Sequence, residues 1–302
     1  MNIPAKFISY AKELGCVCKC SESMKKHTTF KIGGDADLFV TVFSLKQLCC
    51  VLKKATECEL PVFVIGNGSN LLVSDEGVRG VVIKLQLSEE ITLSDDGVLS
   101  ATAGVRLSNV CLAALQESFS GLEFAWGIPG TVGGAIYMNA GAYGGEIKNI
   151  LLECTAVDKS GNLFNYNNEE AELAYRESVF KRNGQIIVSA KFKLSKGEKI
   201  KIKREMDDLL SRRRDKQPLD MPNAGSVFKR PQGNFAGTLI EQCGLKGYTV
   251  GGASVSSKHA GFIVNNGNAT CKDVLDLIEY IKKTVFEKTG VLLEQEIAVF
   301  GS

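Results

Sequence analysis

The sequence predicts an α+β protein built from more than one domain. Three observations carry that prediction. A strand–helix–strand pattern fills residues 38–65, β-branched runs broken by turns fill residues 78–106, and the last hundred residues alternate short strands with one long amphipathic helix. At 302 residues the chain exceeds one ordinary core, so two or three domains are expected.

Residues 5–14 predict a first helix, and residues 16–20 a short strand. A loop over residues 27–37 closes on a glycine pair. Residues 38–43, LFVTVF, predict a buried strand, and Ser44 supplies the N-cap of the helix after it. Leu45, Leu48, Cys49, Leu52 and Ala55 give that helix one apolar face. Residues 62–65 are a second strand, which completes a βαβ unit, so the two strands are expected parallel with a right-handed crossover. The second strand runs into Gly66, Asn67, Gly68, Ser69, Asn70 and Leu71. This is not the dinucleotide fingerprint, because the third glycine is missing and Leu71-Leu72-Val73 continues as a strand. No P-loop motif occurs either. What remains is a phosphate cradle of backbone amides with the Ser69 and Asn70 side chains.

Residues 78–106 read as several strands, with a turn at Asp95-Asp96-Gly97. A helix over residues 108–119 follows, with Ser108 as its cap. Residues 121–145, GLEFAWGIPGTVGGAIYMNAGAYGG, hold the only tryptophan and are too rich in glycine for a helix interior or a packed strand. A backbone of this kind suits close approach to a ligand bearing phosphate or pyrophosphate. Residues 150–157 and 186–194 alternate like sheet strands, and between them Arg176 stands in LAYRESVF. Residues 196–217 form a charged helix, and the start of the C-terminal domain is placed there. Its Arg212-Arg213-Arg214 run is a solvated face or an anion site, with Lys216 just before Pro218. Beyond it come a turn at residues 222–231, a short helix at 237–243 and a strand at 259–264. Thr270 and Asp273 resemble a capping box. Val274, Leu277, Ile278, Ile281 and Val285 share one face of the next helix, which Gly290 ends. Residues 292–300 predict a last strand with Glu294 and Glu296 on one face.

Composition narrows the function classes. Apolar residues make 44% and charged residues 23%, the balance of a soluble globular protein. Lys plus Arg number 36 against 34 for Asp plus Glu, so no basic field favours nucleic acid. No apolar run is long enough to span a bilayer and the N-terminus has no signal-peptide core. The ten cysteines are therefore expected free in a reducing cytoplasm. With two histidines and no Cys-x-x-Cys, no metal site is expected.

Six motifs occur in order along the chain: HTTFKIGGDAD, GNGSNLLVSDEGVRG, GIPGTVGGAIYMNAGAYGGEI, YRESVFK, AGSVFKRP and LEQEIAVFG. Six in this order are specific, and by a likeness that covers nearly the whole chain the sequence resembles the UDP-N-acetylenolpyruvoylglucosamine reductases of peptidoglycan synthesis in their compact form. The resemblance implies an FAD-binding module of the vanillyl-alcohol-oxidase type in two subdomains, residues 1–80 and 81–197. A C-terminal α+β domain, residues 198–302, would take the UDP-sugar. It implies that NADPH reduces FAD and that the enolpyruvyl ether of UDP-N-acetylenolpyruvoylglucosamine then accepts the hydride.

By the same resemblance Arg176 and Glu296 hold the substrate carboxylate, and Ser226 donates the proton. Glu294 is the competing carboxylate two residues away. FAD is expected on residues 66–71, named above, and on Ala103. Further contacts are expected from Gly127, Ile128, Pro129, Gly130 and Thr131, then Gly133, Gly134 and Ala135, and finally Asn139, Gly141 and Ala142. Tyr175, Lys216, Lys229 and His259 are expected at the substrate, with a structural role for His259 equally open. The tyrosine-bearing closing loop of the longer family form is absent. No oligomer is required. Two other readings stand beside this one: a flavin oxidase of the same fold, and a UDP-sugar-binding module without catalysis.

Overall fold

A computed structural model describes residues 3–88 and 90–301. The chain folds as two compact units. Unit 1 comprises residues 1–20, 38–67 and 80–212, and unit 2 comprises residues 21–37, 68–79 and 213–302.

Unit 1 opens with helix α1, Ala5–Glu13, whose Phe7 and Ala11 are buried. Helix α2, Leu45–Glu57, starts where the sequence places it: Ser44 is the N-cap and its hydroxyl accepts from the Gln47 N–H. Leu48, Val51, Leu52 and Ala55 turn inward. The strands on either side of α2, Asp35–Val42 and Val62–Ile65, lie in one four-stranded sheet but are not neighbours. Strand Val78–Leu85 stands between them and pairs parallel with Val62–Ile65, Val62 facing Val81. The connection through α2 therefore spans one intervening strand.

A five-stranded antiparallel sheet forms the rest of unit 1, in the order 163–167, 151–157, 186–193, 98–102 and 91–93. Strand Leu163–Asn167 was not read from the sequence, because its residues are mostly exposed and carry no apolar alternation. Helix α3 spans Leu107–Gln116 and is capped at Arg106 with no side-chain hydrogen bond. Ser108 is therefore inside α3 rather than its cap. Helix α4, Val132–Tyr137, lies in the glycine-rich stretch, and α5, Val179–Asn183, ends on left-handed Gly184. The charged helix α6, Lys199–Lys216, carries the chain out of unit 1 at residue 212.

Unit 2 has its own core, in which Phe30, Ile32 and Leu72 pack with apolar residues of the C-terminal segment. Helix α7 is Ala236–Gln242, and helix α8 is Cys271–Thr289. The Thr270–Asp273 capping box is present in full, and Gly290 closes α8 at φ 71°. Asp75 adds a second cap, its carboxylate accepting from Cys271 N at 2.8 Å and Lys272 N at 3.0 Å. Strand Leu71–Val73 pairs parallel with Ala298–Phe300. Two strand expectations are corrected. The strand expected at 259–264 is Ile263–Asn265, third in a small sheet with Thr249–Val250 and Ala253–Val255. The last strand begins at Ala298, not at residue 292.

All ten cysteines are free thiols. Burial pushes Cys16 up to about 11 and Cys154 up to about 12, so both stay protonated at neutral pH.

Candidate functional site

In unit 1 two glycine loops are tied together. Asn67 Nδ2 donates to Pro129 O at 2.7 Å. A Cβ on Gly66 would sit 2.5 Å from Thr131 Oγ1, so only glycine permits this approach. Thr131 caps α4 by accepting from Gly134 N. Gly133 donates its N–H to Ala103 O at 2.9 Å, and a Cβ there would lie 2.9 Å from the Ala103 methyl. Ala103 is buried beneath the stretch, where it supports the loop. Gly141 and Ala142 pair with Glu146 and Gly145 in a two-residue ladder. Ile128 is half-buried, and Ala135 is buried inside α4.

Arg176 is presented by a two-residue turn. Ala174 and Glu177 exchange both backbone hydrogen bonds at 3.1 Å, with Tyr175 and Arg176 between them. Arg176 takes a left-handed φ of 58°, a conformation that costs a non-glycine residue free energy and so needs support. The support is visible. Asn139 Nδ2 donates to Ala174 O at 3.0 Å, Lys181 Nζ donates to Arg176 O at 2.9 Å, and buried Ser178 donates to Tyr137 O at 2.8 Å. The guanidinium lies 5.1 Å from the centre of the Tyr175 ring.

Asn139 had been expected at the cofactor. Its side chain is 1% exposed and also donates to Glu146 Oε2 and accepts from Lys148 N, both at 2.9 Å. That side chain is committed inside the protein, where it holds the Arg176 turn, and only its backbone is left for a ligand. Sequence reasoning missed this role for Asn139 and Ser178. The sequence signal was an asparagine just before Ala140-Gly141, a residue type that tolerates the left-handed φ of 40° that Asn139 adopts.

In unit 2 the segment around Ser226 is zipped to the segment around Glu296. Lys229 N donates to Glu294 O at 2.8 Å, and Glu296 N donates to Val227 O at 2.7 Å. Phe228 bridges Gln295, and Ser226 bridges Phe262. Ser226 and Glu296 are both half-buried, and the serine hydroxyl donates to Phe228 O at 3.2 Å. The two glutamates expected on one face are told apart by their surroundings. Glu294 is exposed and paired with Lys229 at 2.5 Å. Asn70 reaches the same strip, donating to Glu296 O at 3.4 Å and accepting from Ala298 N at 3.0 Å.

His259 is clamped. Its Nδ1 accepts from Gly261 N at 3.1 Å, which leaves the proton on Nε2. Its ring packs on Phe262 edge to face at 5.0 Å, and Gly237 and Gly261 leave room for it. Burial holds its pKa below the usual value, and the positive charge of Lys246, then that of Lys216, pushes the same way. Lys216 itself is exposed, the last residue of α6. The structure thus brings together the Ser226, Lys229, Glu296 and Asn70 segments in unit 2; in unit 1 it ties Gly66–Asn67 to the 127–135 loop and, separately, holds the Tyr175–Arg176 turn on Asn139.

Comparison with known proteins adds two matching families. Residues 36–167 match the FAD binding domain family, and residues 217–300 match the C-terminal domain of UDP-N-acetylenolpyruvoylglucosamine reductase. The reductase of that name from Lachnoclostridium phytofermentans is 48% identical over 286 residues, covering 93% of this chain and 92% of the relative. The one from Clostridioides difficile is 49% identical over 283 residues, covering 94% and 93%. Among solved structures, the crystal structure of the Thermus caldophilus UDP-N-acetylenolpyruvylglucosamine reductase matches with a TM-score of 0.80 at 38% identity, covering 94% of this chain and 98% of that one. The α+β class and the flavin module expected from the sequence both stand. No helix of the described residues is long and apolar enough to cross a membrane.

Proposed function

The chain belongs to the UDP-N-acetylenolpyruvoylglucosamine reductase family, and from that premise we propose that it reduces the enolpyruvyl ether of that UDP-sugar to UDP-N-acetylmuramate, with NADPH as reductant. It is an FAD-dependent oxidoreductase of peptidoglycan synthesis. The observation that carries the reading is the likeness to reductases of that name over 93% of the chain. In functional terms we take residues 1–80 and 81–197 as the flavin module and residues 198–302 as the substrate domain, acting in the cytoplasm.

The residues fit the flavin cofactor. Gly68 is buried, and its N–H and that of Ser69 meet no acceptor among the described residues. Trp126 Nε1, in the glycine-rich stretch, is buried without a partner. Unsatisfied donors of this kind call for an acceptor from outside the chain, which phosphate and flavin oxygens provide. The 66–71 and 127–135 loops would hold FAD, and FAD when bound supplies the hydride.

The chain's own residues do the rest. Hydride addition to the enolpyruvyl carbon leaves negative charge beside the carboxylate. Arg176 supplies a fixed positive charge there, pre-organised by its strained turn. Glu296 binds the same carboxylate and must be neutral or matched by a cation as it does so, since a bare carboxylate would repel it. Ser226 donates the proton; its hydroxyl is a weak acid and needs the field of neighbouring cations. Lys229 and Lys216 are the cations of unit 2 assigned to the diphosphate, and Tyr175 and His259 are assigned to the substrate pocket.

The test is Ser226→Ala. The flavin absorbance should still fall on adding NADPH, and it should no longer recover on adding the enolpyruvyl substrate. Equal loss of both half-reactions would remove Ser226 from the role of proton donor.

A further inference from the structure

Two cations of unit 1 stand beside Gly66, where the first flavin loop begins, and beside Thr131 in the second. Lys84 lies on strand Val78–Leu85, in register with Ile65 at the end of the neighbouring strand. Its Nζ turns to donate to Gly66 O, the first residue of the first loop. Arg106 caps α3 and bridges Thr131, the residue whose hydroxyl abuts Gly66. Leu107 N donates to Gly130 O at 3.1 Å, so the Arg106 end of α3 is fixed to the second loop. Among the described residues, no carboxylate forms an ion pair with either side chain.

This arrangement costs free energy as it stands. Lys84 is half-buried, and burial first, then the positive charge of Arg106, pushes its pKa down. Two mutually repelling cations, one of them desolvated, are stable together when an anion sits between or beside them. The loops they flank are those matched by the FAD binding domain family. The flavin ring is uncharged, and the charge of FAD resides in its diphosphate.

We propose that Lys84 and Arg106 are the side-chain cations that recognise the diphosphate of FAD, and so select FAD over flavins lacking it. The inference rests on FAD being the cofactor, and it does not involve the enolpyruvyl reaction. Backbone amides of the loops supply hydrogen bonds of fixed geometry, and the two cations supply charge.

The experiment measures flavin affinity on deflavinated protein by quenching of flavin fluorescence. It compares Lys84→Gln, Lys84→Arg, Arg106→Gln and Arg106→Lys, each with FAD and with riboflavin. Each Gln variant is expected to weaken FAD by about tenfold, the size of one charge-assisted hydrogen bond. Riboflavin affinity stays within about twofold, and the charge-keeping variants retain most of the FAD affinity. The dependence of FAD affinity on salt also flattens in the Gln variants. Equal weakening of FAD and riboflavin would overturn the proposal, since Lys84 would then only brace the Gly66 carbonyl. So would an unchanged salt dependence. Arg106 is exposed, so Arg106→Gln carries the test alone if Lys84→Gln does not fold. Wild-type protein that binds no FAD would sink the proposed function itself; wild-type binding with indifferent variants would sink this inference only.

Discussion

Asn139→Ala probes how the fold prepares Arg176. The substitution removes three hydrogen bonds, to Glu146 Oε2, Ala174 O and Lys148 N, at a site only 1% exposed. At about 1 kcal/mol each, their loss amounts to about 3 kcal/mol. Alanine must also adopt the left-handed φ of 40°, which adds about 1 kcal/mol. Unfolding of the flavin-loaded protein in urea should therefore show a loss of about 3–4 kcal/mol. Freed from Asn139, the Ala174 carbonyl no longer fixes the turn, and Arg176 relaxes from its strained conformation. Stopped-flow absorbance should then show flavin reduction by NADPH little changed and reoxidation by the enolpyruvyl substrate slowed. A stability loss below about 1 kcal/mol, with both half-reactions unaffected, would refute the reasoning.

Three further outcomes are expected. Thr270→Ala removes the hydroxyl that accepts from Asp273 N at 3.0 Å, and should cost about 1 kcal/mol in an unfolding titration without altering either half-reaction. Glu294→Gln leaves reoxidation by substrate within about twofold, because that carboxylate is exposed and tied to Lys229, whereas Glu296→Gln slows it at least about a hundredfold; the reverse ranking would exchange the two roles. His259 has a depressed pKa in the folded state, so the stability linked to it is present above its unfolded value of 6.5 and is lost as pH falls from there towards the folded value. Stability measured from pH 8 to pH 5 should fall less steeply in His259→Gln, and an unchanged slope would contradict the clamp on Nδ1.

Local chemistry was readable from the sequence, and long-range partnership was not. Ser44 and Thr270 were recognised as caps because a cap is decided within four residues. Ser108 misled by the same rule, since α3 starts earlier at Leu107 with Arg106 as its cap. The strands around α2 were found, but their separation by Val78–Leu85 depends on a pairing that periodicity does not report. The membership of residues 21–37 and 68–79 in unit 2 was likewise hidden. It rests on distant contacts: Asp75 capping α8, Asn265 donating to Phe30 O at 3.1 Å, and Thr29 donating to Asn223 O at 2.7 Å.

The site divides in the same way. The glycine loops were legible from their residue types, whereas the YRES, AGSVF and LEQE motifs were picked out by the family resemblance, since a lone arginine, serine or glutamate carries no such signal. The distinct surroundings of Glu294 and Glu296 were not legible, because the expected strand is replaced there by a short zipper onto residues 227–229. Lys84 left a trace that went unread, a lone cation in the apolar run VVIKL.

One cuvette tests the central claim. The purified protein should be yellow, its flavin absorbance should fall on addition of NADPH under anaerobic conditions, and it should return when UDP-N-acetylenolpyruvoylglucosamine is added. Absorbance that falls with NADPH and never returns with that substrate would contradict the assigned reaction.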